Sequence, residues 1–141
     1  MNLHFTVADE SDTPVIFTQA KDLIDHYEDV TSIDYERVLA WVKEKIETHI
    51  SEYRCVLVAG QKAAYYRFCE DGELDDVYVL PAFQGQGIGS EILKRCIAAS
   101  KKDMYLYVFR NNIRAIAFYE RFGFTVRESV GNTRFVMVRN G

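Results

Sequence analysis

A glycine-rich turn joins an extended apolar run to an amphipathic helix in the second half of the chain. The run is Val77–Leu80, the turn contains Gly85, Gly87 and Gly89, and helical periodicity begins at Ile88. Glycines at such a turn let the backbone approach a ligand and leave the first N–H groups of the helix unobstructed. Those donors and the helix dipole attract a phosphate or pyrophosphate. The sequence therefore predicts a strand–turn–helix unit that binds an anion, without specifying which one.

Three short β-rich runs, separated by turn residues, lead into this unit. They span Tyr53–Ala59, Ala63–Cys69 and Glu73–Leu80. Asp71-Gly72 separates the last two and is typical of a tight hairpin in which both central residues have positive φ. The pattern predicts three consecutive antiparallel strands.

Helical periodicity recurs in two segments near the N-terminus. The first has Pro14 in its first turn and Asp12 or Thr13 as its cap, and the second begins at about Asp34. Trp41 lies between the apolar and polar faces of the second helix and is interpreted as a half-buried packing residue.

The remaining elements complete the expected fold. A helix from Asn112 to about Phe122 follows the helix that begins at Ile88, and Gly131-Asn132 is typical of a two-residue hairpin loop. The other extended runs are Leu3–Ala8, Met104–Phe109, Thr125–Val130 and Thr133–Arg139. This order predicts an α+β fold with a central mixed, mostly antiparallel sheet flanked by about four helices. With 141 residues, 48% of them apolar, we expect one domain over residues 1–141.

Charge and composition exclude several classes of protein. The net charge of −4 is spread along the chain, so nothing indicates binding to nucleic acid or to an anionic membrane. No apolar run approaches the ~18 residues of a membrane helix, and no signal pattern begins the chain, which favours a cytoplasmic protein. Cys55, Cys69 and Cys96 form no close pairs and are interpreted as reduced core or near-core residues, and no metal site is predicted.

Two families of phosphate-binding loop fit poorly. A P-loop has a lysine and then Ser or Thr after its last glycine, whereas Gly89 is followed by Ser90 and Glu91. A dinucleotide-binding loop has its third glycine where Ser90 stands and an acidic residue after the next parallel strand. Neither of these two features is present.

A third family matches. Gln84-x-x-Gly87-x-Gly89 resembles the signature of GNAT-type N-acetyltransferases, and the resemblance extends over residues 73–124. Its downstream part is Asn112-x-x-Ala115-x-x-Phe118-Tyr119-x-x-Phe122-Gly123-Phe124. The resemblance implies a GNAT-like fold, acetyl-coenzyme A (acetyl-CoA) as cosubstrate, and acetyl transfer to a primary amine of a small molecule or protein. The amine would attack the thioester directly, through a tetrahedral intermediate.

The resemblance also implies the coenzyme-binding residues. The thioester and pantetheine would lie along the third run, where a splay between strands leaves N–H groups free, and the Val79 N–H would polarise the carbonyl. The implied residues are Val77, Tyr78, Val79, Gln84, Gly85, Gln86, Gly87, Ile88, Gly89, Ser90 and Asn112. Cations that could contact the coenzyme phosphates, with none singled out, are Lys94, Arg95, Arg110 and Arg114.

Two catalytic residues are implied in the same way. Tyr119 would protonate or hydrogen-bond the leaving thiolate, although packing of a helix on the sheet is the alternative for this side chain. Glu73 stands six residues before Val79 and is the first candidate to accept the amine proton, with Asp75 on the same face of the strand. The alternative is that Glu73, Asp75 and Asp76 form a solvated hairpin end.

Other functions remain open at this stage. The same loop could belong to a non-catalytic module that senses acyl-CoA, or to a partner-binding domain without coenzyme. The acceptor amine is not identified by the sequence, and an exposed edge strand could pair with a second copy to form a homodimer.

Overall fold

The computed structural model describes residues 2–141, which form an α+β fold as predicted. The helices are α1 (Thr13–Tyr27), α2 (Tyr35–Thr48), α3 (Ile88–Ala99) and α4 (Ile113–Glu120). The strands are β1 (Leu3–Val7), β2 (Tyr53–Val58), β3 (Gln61–Phe68), β4 (Leu74–Val79), β5 (Met104–Phe109), β6 (Thr125–Val130) and β7 (Arg134–Arg139). None of the helices within residues 2–141 combines the length and apolarity needed to cross a bilayer.

The strands form two half-sheets that meet at one point. One half-sheet has the order β1-β2-β3-β4 and the other the order β5-β7-β6, and all pairs within them are antiparallel. Strands β4 and β5 run parallel and touch at the bridge Glu73–Tyr105, where the Tyr105 N–H also donates to the Gly72 carbonyl at 3.0 Å. Beyond this bridge the two strands separate, so the predicted mixed sheet contains a wedge-shaped opening.

Helices cover both faces of the sheet. On one face, Ile16 of α1 and Ile46 of α2 pack in a buried cluster that includes Tyr78. On the other face, Ile92 of α3 packs in a larger cluster against which Val79 lies. Because successive side chains of a strand point to opposite faces, β4 presents Tyr78 to α1 and α2 and Val79 to α3.

A tight hairpin with two positive φ angles does occur, between β2 and β3. Val58 pairs with Gln61, and the two loop residues Ala59 and Gly60 have φ of 51° and 80°. This is the geometry that matches the twist of the flanking strands. Ala59 accepts it although left-handed backbone is unfavourable for a residue with a Cβ.

Hairpins form at Asp71-Gly72 and Gly131-Asn132 as predicted, but the predicted tight two-residue turns within them are wrong. Only the glycine of each pair has positive φ, 101° at Gly72 and 60° at Gly131. Before β4 the turn is longer, because the Gly72 N–H donates to the Cys69 carbonyl and the Cys69 N–H donates to that of Glu73. Between β6 and β7, Val130 pairs with Arg134, which leaves a three-residue loop.

Two polar or aromatic side chains near the N-terminal helices differ from prediction. Trp41 is 68% exposed, so its assignment as half-buried is wrong. Asp12 is the N-cap residue of α1, one of the two predicted alternatives, but its buried carboxylate makes no capping bond. It accepts hydrogen bonds from the Tyr65 hydroxyl and Lys62 Nζ instead, both at 2.7 Å. It thereby ties the start of α1 to β3. The cysteines are free and core or near-core, as predicted.

Candidate active site

A cavity of about 700 Å³ opens where β4 and β5 separate. The end of β4, the glycine-rich loop with the first turn of α3, and one face of α4 line it. The predicted site residues that line it are Val77, Val79, Gln84, Gly85, Gly87, Ile88, Gly89, Ser90, Asn112 and Tyr119. Tyr78, Gln86 and Glu73 lie outside this lining. The structure therefore brings most of the predicted coenzyme site and Tyr119 to one opening.

The sequence did not identify every residue of the cavity wall. Arg114, which was one of several cations without a distinguished role, lines the cavity, and so does Arg121. Residues seven apart lie on the same face of a helix, so the spacing between Arg114 and Arg121 could have predicted that both line the cavity. Apolar lining residues that were not predicted are Phe83, Ala115, Ala117 and Phe118.

The glycine-rich loop leaves the N-terminus of α3 open to the cavity. Gly85 and Gly87 have φ of 80° and 85°, which other residues adopt only at a cost. Gly87 is the N-cap of α3, and no side chain caps this terminus. The N–H groups of the first helical turn, which begins at Ile88, therefore have no intrahelical acceptor. Together with the helix dipole they form a binding site for an anion.

Gly89 of α3 and Gln84 of the loop lie against the cavity walls. A Cβ at Gly89 would lie 3.4 Å from Phe118 Cζ and 3.8 Å from Val79 Cγ2, which are ordinary van der Waals distances, so α3 packs closely on α4 and β4 at this residue. Gln84 Nε2 donates to the Val79 carbonyl at 3.0 Å, which joins the loop to the open edge of β4.

The Val79 N–H points into the opening between the strands. The neighbouring Leu80 N–H donates to the Ala63 carbonyl of the preceding strand at 2.9 Å, and Val79 pairs with Ala64. Hydrogen-bonded and non-hydrogen-bonded positions alternate along an antiparallel ladder, so the Val79 N–H faces away from β3 and towards β5. This donor is therefore available to a bound carbonyl oxygen.

The half-buried Tyr119 faces the same cavity from α4. Its ring packs at 5.3 Å from the ring of Phe118 and 5.9 Å from that of Phe124. Burial, followed by the negative charge of Asp76, raises the pKa of Tyr119 above its usual value. The hydroxyl is therefore neutral at physiological pH and can donate a hydrogen bond to a charge that forms in the cavity.

Asn112 serves two purposes at the start of α4. Its Oδ1 accepts a hydrogen bond from the Ala115 N–H at 3.2 Å, as its predicted role of helix cap requires. The residue also lines the cavity, and its amide NH₂ group is not used by the cap.

Glu73 lies at the closed end of the wedge. Burial, and then the charges of Asp75 and Asp71, raise the pKa of its carboxyl above the usual range. Six residues of strand separate Glu73 from Val79, a distance of about 20 Å at ~3.3 Å per residue. A proton from a substrate held at Val79 would therefore reach Glu73 only through intervening water.

The two neighbouring aspartates are held by cations. A shift in the β3–β4 register next to Arg67 lets both Asp75 and Asp76 reach Lys45 Nζ, at 3.1 and 3.4 Å. Arg67 also binds Asp75 at 2.7 Å. Two hydroxyls donate to Asp76, those of Tyr53 at 2.5 Å and Tyr78 at 2.8 Å. Of Glu73, Asp75 and Asp76, only Glu73 forms no ion pair within residues 2–141.

Three possible metal ligands meet near Glu73. The Cys69 Sγ and carboxylate oxygens of Asp71 and Glu73 lie within 4.8 Å of one another. Burial is the main cause that raises the pKa of the Cys69 thiol, to about 11. The sulfur is therefore protonated at neutral pH in the absence of a metal ion, and a metal ion would have to displace this proton to bind the thiolate.

The chain matches a family model, and curated proteins match part of it. Residues 16–124 match the model described as the acetyltransferase (GNAT) family. A segment of 56 residues is 41% identical to a spermine/spermidine N(1)-acetyltransferase of Bacillus subtilis. This alignment covers 36% of the chain and 37% of the relative, so the chain matches well under half of that protein's length.

Solved structures share the fold over the whole chain. A PaiA N-acetyltransferase from Thermoplasma acidophilum in complex with coenzyme A has a TM-score of 0.70 and 19% identity, with 100% of both chains covered. Arabidopsis thaliana Naa50 in complex with the bisubstrate analogue CoA-Ac-MVNAL has a TM-score of 0.62 and 19% identity, again with 100% of both chains covered.

Proposed function

Because this chain belongs to the GNAT family of acetyltransferases, we propose that it transfers the acetyl group of acetyl-CoA to a primary amine of a small molecule or protein. One observation carries the proposal. An uncapped helix N-terminus, a free strand N–H at Val79 and a neutral hydroxyl at Tyr119 converge on one cavity. We further propose that residues 1–141 act as one catalytic domain.

The donor would lie along the cavity with its pyrophosphate at the glycine-rich loop. The N–H groups after Gly87 would bind the pyrophosphate, and the pantetheine would follow the edge of β4 towards Val77. Among residues 2–141, those that line the cavity include two arginines and no carboxylate, which suits an anionic ligand. Gln84 would keep the Val79 carbonyl occupied, so that only the N–H of this residue is offered to the thioester.

The same arrangement supplies the chemistry of acetyl transfer. As the amine attacks, the thioester carbonyl becomes an oxyanion, and the Val79 N–H would stabilise it. Tyr119 would donate a hydrogen bond to the departing thiolate. An alkylamine with a pKa near 10.4 is mostly protonated at neutral pH, and exposing its free base costs about 4 to 5 kcal/mol. Glu73, whose pKa is raised and which forms no ion pair within residues 2–141, would accept this proton through water.

The acceptor remains the open part of the proposal. The name of the B. subtilis relative suggests spermine and spermidine as the first amines to test, and the Naa50 complex suggests a peptide. The cytoplasmic location stays a prediction. The homodimer also stays a prediction, and the exposed edge strand β6 is the element through which a second copy could pair.

Two measurements, made one after the other, test the proposed function. A ligand at 100 times its dissociation constant adds about 2.7 kcal/mol to the free energy of unfolding, so CoA should raise the melting temperature measurably. Thiol release from acetyl-CoA is then followed with a panel of polyamines, amino acids and peptide amines. Stabilisation with no turnover on any amine would favour the non-catalytic acyl-CoA-binding module. Absence of stabilisation by CoA would refute both functions.

A further inference from the structure

Two arginines line the cavity and have no acidic partner among residues 2–141: Arg114 in α4, and Arg121, which directly follows the last residue of α4. Arg114 and Arg121 are seven residues apart, which places them on one face of the helix with a rise of about 10.5 Å between them. Neither takes part in an ion pair within residues 2–141. The chain has 21 acidic and 17 basic residues, so two free cations on one cavity wall are not a consequence of excess positive charge.

Other cations of the chain are differently placed. The guanidinium of Arg95 lies 4.0 Å from the ring centroid of Phe5, and that of Arg110 lies 4.8 Å from Phe135 and donates to Ser129. Neither Arg95 nor Arg110 lines the cavity. The positive charge that the cavity offers through side chains therefore comes from α4 and its C-terminal cap.

Arg121 packs against an aromatic residue of the cavity wall. Its guanidinium lies 5.6 Å from the ring centroid of Phe118, which also lines the cavity. A guanidinium over an aromatic face keeps its in-plane N–H groups available for an anion. The stacking thus restricts the side chain without using its donors.

Coenzyme A carries one phosphate that would lie outside the glycine-rich loop if the loop binds the pyrophosphate as proposed. The N-terminus of α3 provides backbone donors for the pyrophosphate, whereas the 3′-phosphate of the adenosine is a separate monoester with a charge of about −1.5 to −2 at pH 7. Planar guanidinium groups match phosphate oxygens in geometry and charge. We propose that Arg114 and Arg121 bind the 3′-phosphate and make the site select coenzyme A over dephospho-coenzyme A. This inference rests on the proposed function, because it assumes that the coenzyme occupies this cavity.

The test is a comparison of two ligands on matched variants. Isothermal titration calorimetry measures the affinity of the full chain for CoA and for dephospho-CoA at fixed ionic strength. The wild-type chain should bind CoA at least about tenfold more tightly, since charge-assisted hydrogen bonds are lost with the 3′-phosphate. Arg114→Gln and Arg121→Gln should each weaken CoA binding about tenfold and change dephospho-CoA binding less than about twofold. Arg127→Gln, an exposed site on β6 away from the cavity, is the control and should change neither affinity.

The outcomes separate this inference from the proposed function. Equal affinity of the wild-type chain for both ligands would overturn the inference and leave the acetyltransferase proposal intact. Equal weakening of both ligands by the arginine variants would also overturn it, because the arginines would then serve the pyrophosphate or the fold. If the wild-type chain binds neither ligand, the proposed function fails and this inference fails with it. Melting temperatures of the variants without ligand show that each is folded.

Discussion

Replacing Tyr119 with phenylalanine tests the role of one hydroxyl. The ring would keep its packing on Phe118 and Phe124, so the variant should fold. A hydrogen bond to a charged group contributes about 1.5–3 kcal/mol, and the sulfur becomes charged only as it leaves. At 1.36 kcal/mol per factor of ten, kcat should fall about 10- to 150-fold. The affinity for CoA should change less than about threefold, because the thiolate is absent from the bound ground state.

The structure also specifies how this hydroxyl acts. With an ordinary tyrosine pKa near 10 and a thiol pKa near 8.5, complete proton transfer is already uphill by roughly 2 kcal/mol. Burial, and then the charge of Asp76, raise the pKa of Tyr119 further, so transfer becomes less favourable. We therefore expect a hydrogen bond to the thiolate and no complete protonation by Tyr119. The pH profile of kcat should accordingly show no basic limb from Tyr119 below about pH 10.

The measurement is steady-state thiol release at saturating amine, with CoA affinity determined separately. Tyr107→Phe is the matched control, because Tyr107 is 46% exposed and does not line the cavity. Tyr107→Phe removes a tyrosine hydroxyl from β5 and should leave kcat unchanged. Wild-type kcat in Tyr119→Phe would refute the reasoning. A comparable loss in Tyr107→Phe would assign the effect to general destabilisation.

Three more substitutions test the closed end of the wedge, the α1 anchor and the proton acceptor. Gly72→Ala should lower the free energy of unfolding by about 2–5 kcal/mol in urea, because φ of 101° is unfavourable and the new Cβ would lie 2.3 Å from the Asp103 carbonyl oxygen. Gly60→Ala, with φ of 80° and nothing within 4 Å, should lose only about 1–2 kcal/mol, and equal losses would contradict the clash. Burial alone would raise the pKa of Asp12, but its hydrogen bonds outweigh burial and hold the pKa below its ordinary value. The stabilisation that Asp12 gives the folded state is therefore present above about pH 4 and is lost as pH falls through its folded-state pKa. Asp12→Asn should lower the free energy of unfolding by about 1–3 kcal/mol at pH 7. Melting curves recorded over a range of pH should then show a weaker pH dependence than in the wild type. Glu73→Gln should remove an acidic limb of kcat/KM that lies above the usual glutamate pKa of about 4.3, and a retained limb would exclude Glu73 as the acceptor of the proton.

Local sequence was sufficient where neighbouring residues decide the structure. The order of strands and helices, the Asn112 cap and the open start of α3 after Gly87 all depend on periodicity, side chains that compete with the backbone, and glycine conformations. The turn at Asp71-Gly72 was mispredicted for a related reason. The Asp-Gly pair is typical of a tight hairpin. Here, however, the Gly72 carbonyl accepts a hydrogen bond from the Tyr105 N–H of β5, and this contact with a distant part of the chain fixes the conformation of the turn.

The sequence by itself determined the strand–turn–helix unit and the residue types that bind an anion there, because those features follow from short-range chemistry. Only the tertiary structure decided which side chains share the cavity. The wedge exists because β4 and β5 touch at the bridge between Glu73 and Tyr105, which are 32 residues apart in the chain, and then separate. Pairing over such a separation leaves no local pattern in the residues. For the same reason, only the fold showed that Asp75 and Asp76 are held by Lys45 while Arg114 and Arg121 stay free on the cavity wall.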